Sequence, residues 1–129
     1  MMIPFTQLDR TSFEALVAEA LDSLPDHFRE KLDNVEVVVE TYADRETLRM
    51  AGLQNPMELF GFYHGVPLTE RSHGYNLVLP DKISIYQRPI EYVCRTPDAI
   101  RAQVRRTVLH ELAHHFGISD DRLRELGVY

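Results

Sequence analysis

Two histidines stand four residues apart, His110 and His114, with Glu111 directly after the first. On a helix, positions i and i+4 share one face a single turn apart, so both imidazoles can hold one metal ion, at roughly 2.0–2.1 Å each for zinc. Glu111 lies about 100° round the helix from His110. That angle takes it out of the ligand set and lets it reach a water on the ion's open side. The spacing therefore predicts two ligands and one general base, the arrangement of metal-assisted hydrolysis.

This chemistry needs a helix, and the flanks supply its ends. Thr96-Pro97-Asp98 is a start signal: an N-cap threonine, proline at the first helical position and an acid in the first turn. Gly117 is the stop, at the position where a left-handed residue closes a helix. With Ile100 set at 0°, Val104 and Val108 fall within about 80° and Glu111 near 20°, so the glutamate points along an apolar sector. Leu109, Leu112 and Phe116 cover much of the remainder, and Arg101, Arg105 and Arg106 lie on the solvated side. A helix apolar nearly all round is central to its fold. A carboxylate and two imidazoles on a buried helix need a reason, and a metal supplies one. The competing reading is a solvated, histidine-rich helix end favoured by the C-terminal dipole.

A hydrolytic zinc usually takes a third protein ligand. Asp120 is the first metal-competent side chain after the turn at Gly117, and Asp121 follows. Asp120 is either that ligand or, with Ser119 or Asp121, the cap of a short last helix over residues 121–126. His115 points about 100° away from His114 and is read as a neighbour of the site or a surface residue.

The pattern His110-Glu111-x-x-His114-x-x-Gly117-x-x-Asp120 resembles the extended zincin motif, with aspartate where metzincins usually carry histidine. Leu-Phe-Gly-Phe-Tyr-His-Gly-Val-Pro-Leu-Thr-Glu-Arg-Ser (residues 59–72) and Leu-Pro-Asp-Lys-Ile-Ser-Ile-Tyr-Gln-Arg-Pro-Ile (residues 79–90) are similar to segments of a family of small bacterial zincin-like metallopeptidases. The resemblance covers nearly the whole chain. It implies an α+β zincin-like fold, residues 1–129 as one domain, and a small mixed sheet packed on helices with the motif helix central. It also implies His110, His114 and Asp120 as zinc ligands and Glu111 as base, acting on a peptide or protein. A Met-turn of the metzincin type is not recognisable after Asp120.

The elements that must position this helix are partly legible. Thr11 and Glu14 fit a capping box, and Phe13, Leu16, Val17, Ala20, Leu21 and Leu24 follow a helical stripe that Pro25 ends. A second short helix fits residues 26–32, with His27 solvated. Val35–Glu40 is rich in β-branched residues, and its run Val37-Val38-Val39 predicts a central strand buried on both faces. Asp44 opens a helix through Met50 that Gly52 closes, and residues 53–58 read as loop. Residues 59–63 form a strand interrupted by Gly61. Gly65, Pro67 and Gly74 mark a loop holding His64 and His73, exposed or near substrate, with a Glu70–Arg71 pair pinning it. Residues 76–79 and 83–86 read as strands. Pro80 and Pro89 bracket the second, whose alternation predicts one apolar face, an edge position and the substrate-side edge. Tyr86 is there a sheet residue or a donor to a developing oxyanion.

Composition sets the outer limits. The chain has 129 residues, enough for one core and too few for two. Its net charge of −6 and lack of a basic tract argue against a nucleic-acid partner. Its single cysteine, Cys94, fits a reducing cytoplasm. Neither a secretory signal nor an apolar run of ~18 residues for a membrane span is present. The expectation is a zinc-dependent metallopeptidase, with another divalent metal in place of zinc as a variant. The alternatives are a metal-dependent amidohydrolase or deformylase, and a catalytically silent, metal-stabilised peptide-binding module.

Overall fold

The long helix forms where its signals place it. The computed structural model of the chain describes residues 7–65 and 81–125. In chain order the elements are α1 (Arg10–Asp22), α2 (Asp26–Lys31), β1 (Val35–Glu40), α3 (Arg45–Met50), β2 (Gly61–His64), β3 (Asp81–Tyr86), α4 (Gln87–Val93), α5 (Pro97–His115) and α6 (Asp120–Glu125). Short 3₁₀ turns at Leu32–Asn34 and Pro56–Glu58 follow α2 and precede β2. The expected strand at 76–79, the Glu70–Arg71 pair and His73 lie outside the described residues. Among those residues no helix is long and apolar enough to cross a membrane.

The fold is α+β, a three-stranded mixed sheet packed on helices, with strand order β1-β3-β2. β1 runs parallel to β3 from Val35↔Asp81 to Glu40↔Tyr86, and β2 runs antiparallel to β3 from Gly61↔Ile85 to His64↔Lys82. This order corrects two expectations. The valine-rich strand is not central: β1 lies at one end of the described sheet, with Glu36 and Glu40 exposed and its valines only partly buried. Residues 83–86 are not an edge: β3 pairs on both sides, so it cannot be the substrate-side edge. Alternation in β3 does not leave a wet face. Ile83 and Ile85 enter the main core, while Ser84 is buried on the opposite face and Tyr86 there joins Ala43 and Leu48 in a second cluster. Pro89 brackets nothing; it sits in the first turn of α4, where its missing N–H has no intrahelical partner to lose.

α5 packs against α1, α2, α4, α6, β2 and β3, and it buries Ile100, Val104, Val108, Leu109, Leu112 and Ala113. Phe116 does not share in this: it is 44% exposed, with Lys31 Nζ 4.2 Å above its ring. The α1 cap also differs from the expected box. Asp9 is the N-cap, its carboxylate accepting from the Ser12 N–H at 2.7 Å, so Thr11 lies inside the helix.

α4 is the element that sequence reading does not anticipate, and it carries the one fully buried acid among the described residues. Glu91 is 0% exposed; it accepts from the Leu8 N–H at 2.9 Å, from Gln87 Nε2 at 3.2 Å and from Arg88 Nη1 at 2.8 Å. Gln87 in turn accepts from Arg10 Nε at 2.8 Å, tying the chain before α1 to α4. A buried charge stripped of one partner is expensive. Glu91→Ala, which leaves the Arg88 guanidinium and the Leu8 amide unsatisfied, should therefore cost about 3–5 kcal/mol in urea unfolding. A loss under 1 kcal/mol would show that the network is not holding the fold.

Candidate metal centre

The end of α5 decides where the donors meet. Thr96 caps the start, its hydroxyl accepting from the Ala99 N–H, with Pro97 as first residue. At the other end Gly117 adopts φ 72°. Its N–H donates to the His114 carbonyl at 3.2 Å, and the Ile118 N–H donates to the Ala113 carbonyl at 2.7 Å. This pair of bonds is a Schellman closure, which needs a left-handed residue, and glycine adopts that conformation without strain. The chain then turns back into α6. Ser119 caps α6, its hydroxyl accepting from the Arg122 N–H at 3.1 Å. Capping is thus done by Ser119, and the side chain of Asp120, the first residue of α6, is directed elsewhere.

It is directed at the histidines. One ligand-capable atom from each of His110, His114 and Asp120 lies within 4.8 Å of the other two. Asp120 Oδ1 stands 3.2 Å from His110 Nδ1, and the His110 and His114 rings are 4.1 Å apart, inclined at 57°. Asp120 Oδ1 is buried and accepts no hydrogen bond among the described residues. Two atoms each bound at ~2.0–2.1 Å to a tetrahedral ion stand roughly 3.3 Å apart. The observed approach matches that spacing, and the donor set of two imidazoles and a carboxylate suits zinc.

Glu111 is directed at β2. Burial pushes its carboxyl above the usual carboxylate range, opposed by the neighbouring charge of His114 and by a hydrogen bond from the Tyr63 backbone. Antiparallel pairing explains why that backbone is available. The Tyr86 N–H donates to the Phe60 carbonyl at 2.9 Å, and Gly61 stands opposite Ile85. The alternation of the ladder then turns the N–H and C=O groups of Gly61 and Tyr63 away from β3. Among the described residues β2, not β3, is therefore the edge strand beside the helix.

β2 lies close against α5 because of one glycine. A Cβ added to Gly61 would stand 2.6 Å from Thr107 Cγ2 and 2.9 Å from the Ser84 carbonyl oxygen. The second neighbour is backbone and cannot rotate aside. Gly61→Ala should cost about 1–3 kcal/mol, read as a lowered urea midpoint. It should also draw the Tyr63 amide away from Glu111, read as faster exchange of that amide proton. Unchanged stability would mean that β2 tolerates a wider gap.

Farther along, Tyr63 clamps the same two elements. Its ring stacks on His115 at 4.1 Å and 15°, and its hydroxyl donates to Asp81 Oδ2 at 2.6 Å. His115 Nε2 is 3.6 Å from the same carboxylate oxygen. His115 is thus a neighbour of the site that packs β2 onto the helix. Two other residues raised by the sequence lie away from the donors. His64 sits beside Phe62 on the sheet face opposite α5, and burial followed by the charge of Lys82 lowers its pKa. Tyr86 is 1% exposed within the second cluster, and burial raises its pKa, so it is a packed sheet residue.

A groove of about 290 Å³ opens beside the base. Leu59, Phe60 and Gly61 form one wall, and Gln103, Arg106 and Thr107 continue the other from His110 and Glu111. The Tyr63 amide and Asp81 carry no sequence signal, because sheet pairing selects them. Arg106 carries one: it lies one helical turn before His110 and so on the same face.

The family model described as zincin-like metallopeptidase matches residues 32–128. No curated protein matches the chain.

Proposed function

Because the chain belongs to the zincin-like metallopeptidase family, we propose that it hydrolyses peptide bonds using a zinc ion held by His110, His114 and Asp120, with Glu111 as general base. The observation that carries this reading is the Asp120 carboxylate: an oxygen buried without a hydrogen bond, 3.2 Å from an imidazole nitrogen, while the capping role falls to Ser119. A cation between the two groups accounts for both facts.

Zinc bound there supplies Lewis-acid chemistry, polarising a carbonyl and acidifying water. The chain's own residues do the rest. The edge of β2 at Gly61 offers backbone groups to an extended peptide, which fixes the scissile carbonyl alongside the helix. Glu111, one residue past a ligand, takes a proton from the attacking water on its carboxylate and returns it to the departing amine.

The test is hydrolysis by zinc-loaded protein of a mixed peptide digest and of a formyl-methionyl peptide. New peptide amino termini in the digest, without formate release, support the peptidase. Formate with the methionyl amine freed, but no new termini in the digest, transfers the site to deformylation, and stoichiometric zinc with neither product makes it a metal-stabilised binding module.

A further inference from the structure

The groove beside Glu111 holds a charge that peptide hydrolysis does not require. Three arginines on α5 face outward, and two are engaged. Arg101 pairs with Glu19 at 2.9 Å and with Asp98. Arg105 donates to the Ser23 backbone and hydroxyl. Arg106 differs: among the described residues no carboxylate lies within ion-pairing range, and its Nη1 donates to Gln103 Oε1 at 3.1 Å. Gln103 Nε2 donates onward to Thr107 Oγ1 at 3.1 Å. This chain of two bonds holds the guanidinium at the groove wall and leaves most of its donors without a partner among the described residues. Glu58 is in the turn before β2 but does not line the groove.

The position sets what it can meet. Arg106 precedes His110 by four residues, about 6 Å along the helix axis. An extended peptide advances ~3.3 Å per residue, so the guanidinium lies one or two residues from the scissile bond. The groove's helix wall runs from Gln103 to Glu111 as its strand wall reaches Gly61 and β2 continues toward His115, so β2 and α5 point the same way. A peptide added antiparallel to β2, the more stable pairing, runs against both and carries its C-terminal side over Arg106.

We infer that this groove binds an acidic side chain one or two residues on the C-terminal side of the scissile bond, held by Arg106. The inference rests on the peptidase reading for the words "scissile bond", so its test measures binding separately from cleavage. Zinc-loaded Glu111→Gln protein is titrated by calorimetry with acetyl-Ala-Ala-Leu-Glu-Ala-Ala-amide and with its glutamine counterpart, whose blocked ends leave one carboxylate or none. The glutamate peptide should bind roughly tenfold tighter, as a charge-assisted hydrogen bond supplies, and the advantage should shrink with salt. Adding Arg106→Gln should erase the difference, and Arg106→Glu should shift preference to a lysine peptide, with zinc content and melting temperature matched to the parent. Equal affinity for both peptides, or no binding of either, overturns the inference. So does tighter binding of a glutamine peptide with a free C-terminus, which would assign Arg106 to a terminal carboxylate. If the wild type cleaves neither peptide while the preference and its dependence on Arg106 hold, the peptidase reading fails and the acidic-peptide site stands.

Discussion

His114→Ala protein is expected to lose zinc. The wild type should bind near one equivalent and the variant at least about a hundredfold more weakly, since even partners outside the coordination shell cost 10–100-fold. Asp120→Ala should fall between them. His114 lies on the same helix face as His110, one turn on, so its loss removes one of two preorganised donors without disturbing the Schellman closure, which uses only its backbone carbonyl. A competition titration with a chromophoric chelator reads this directly. Stability gives a second reading. An ion that binds only the folded chain adds about 2.7 kcal/mol at a hundredfold excess over Kd. For a chain of this length that raises Tm by about 8–10 °C. The rise should appear in the wild type, vanish on chelation and be absent in His114→Ala. Wild-type affinity in Asp120→Ala would remove Asp120 from the ligand set and leave it as a group that only orients His110.

Glu111→Gln should separate catalysis from metal binding. The amide has the carboxylate's shape and can keep an acceptor toward the Tyr63 backbone, but it cannot take a proton from water. General-base contributions are typically 10²–10⁴-fold, so peptide turnover should drop by about that factor at unchanged zinc content. Stability should move the other way. In the metal-free protein burial opposes the ionised carboxylate and raises its pKa, and a neutral isostere removes that opposition. After chelation the variant should melt at or above the wild-type temperature, as charged groups held in unfavourable surroundings often do when replaced. A variant that keeps a third or more of wild-type turnover would show that the proton goes elsewhere.

The geometry of the candidate site was legible wherever its information was local. Helical periodicity fixes which of His110, Glu111, His114 and His115 share a face. Capping chemistry fixes the ends of α5, because Thr96, Pro97 and Gly117 each have a backbone reason to sit where they do. The family pattern in residues 110–120 follows from the same local spacing, and the family match bears out the zincin-like resemblance.

Strand order was not local. Val35–Glu40 looks central by composition and lies at the end of the described sheet, while the prolines near β3 suggested an edge and β3 is the middle strand. Composition records how apolar a strand is, not which neighbour it pairs with, and pairing is settled by contacts far apart in the chain. Three consequences for the site came only with that order. β2 became the edge of the described sheet beside Glu111, the Tyr63 amide was turned toward its carboxylate, and Gly61 emerged as the residue that lets strand and helix approach. Which residue caps α6 also needed tertiary structure. Ser119 and Asp120 are both competent N-caps by residue type, and only the direction of the chain after Gly117 gave the cap to the serine and turned the aspartate to the histidines.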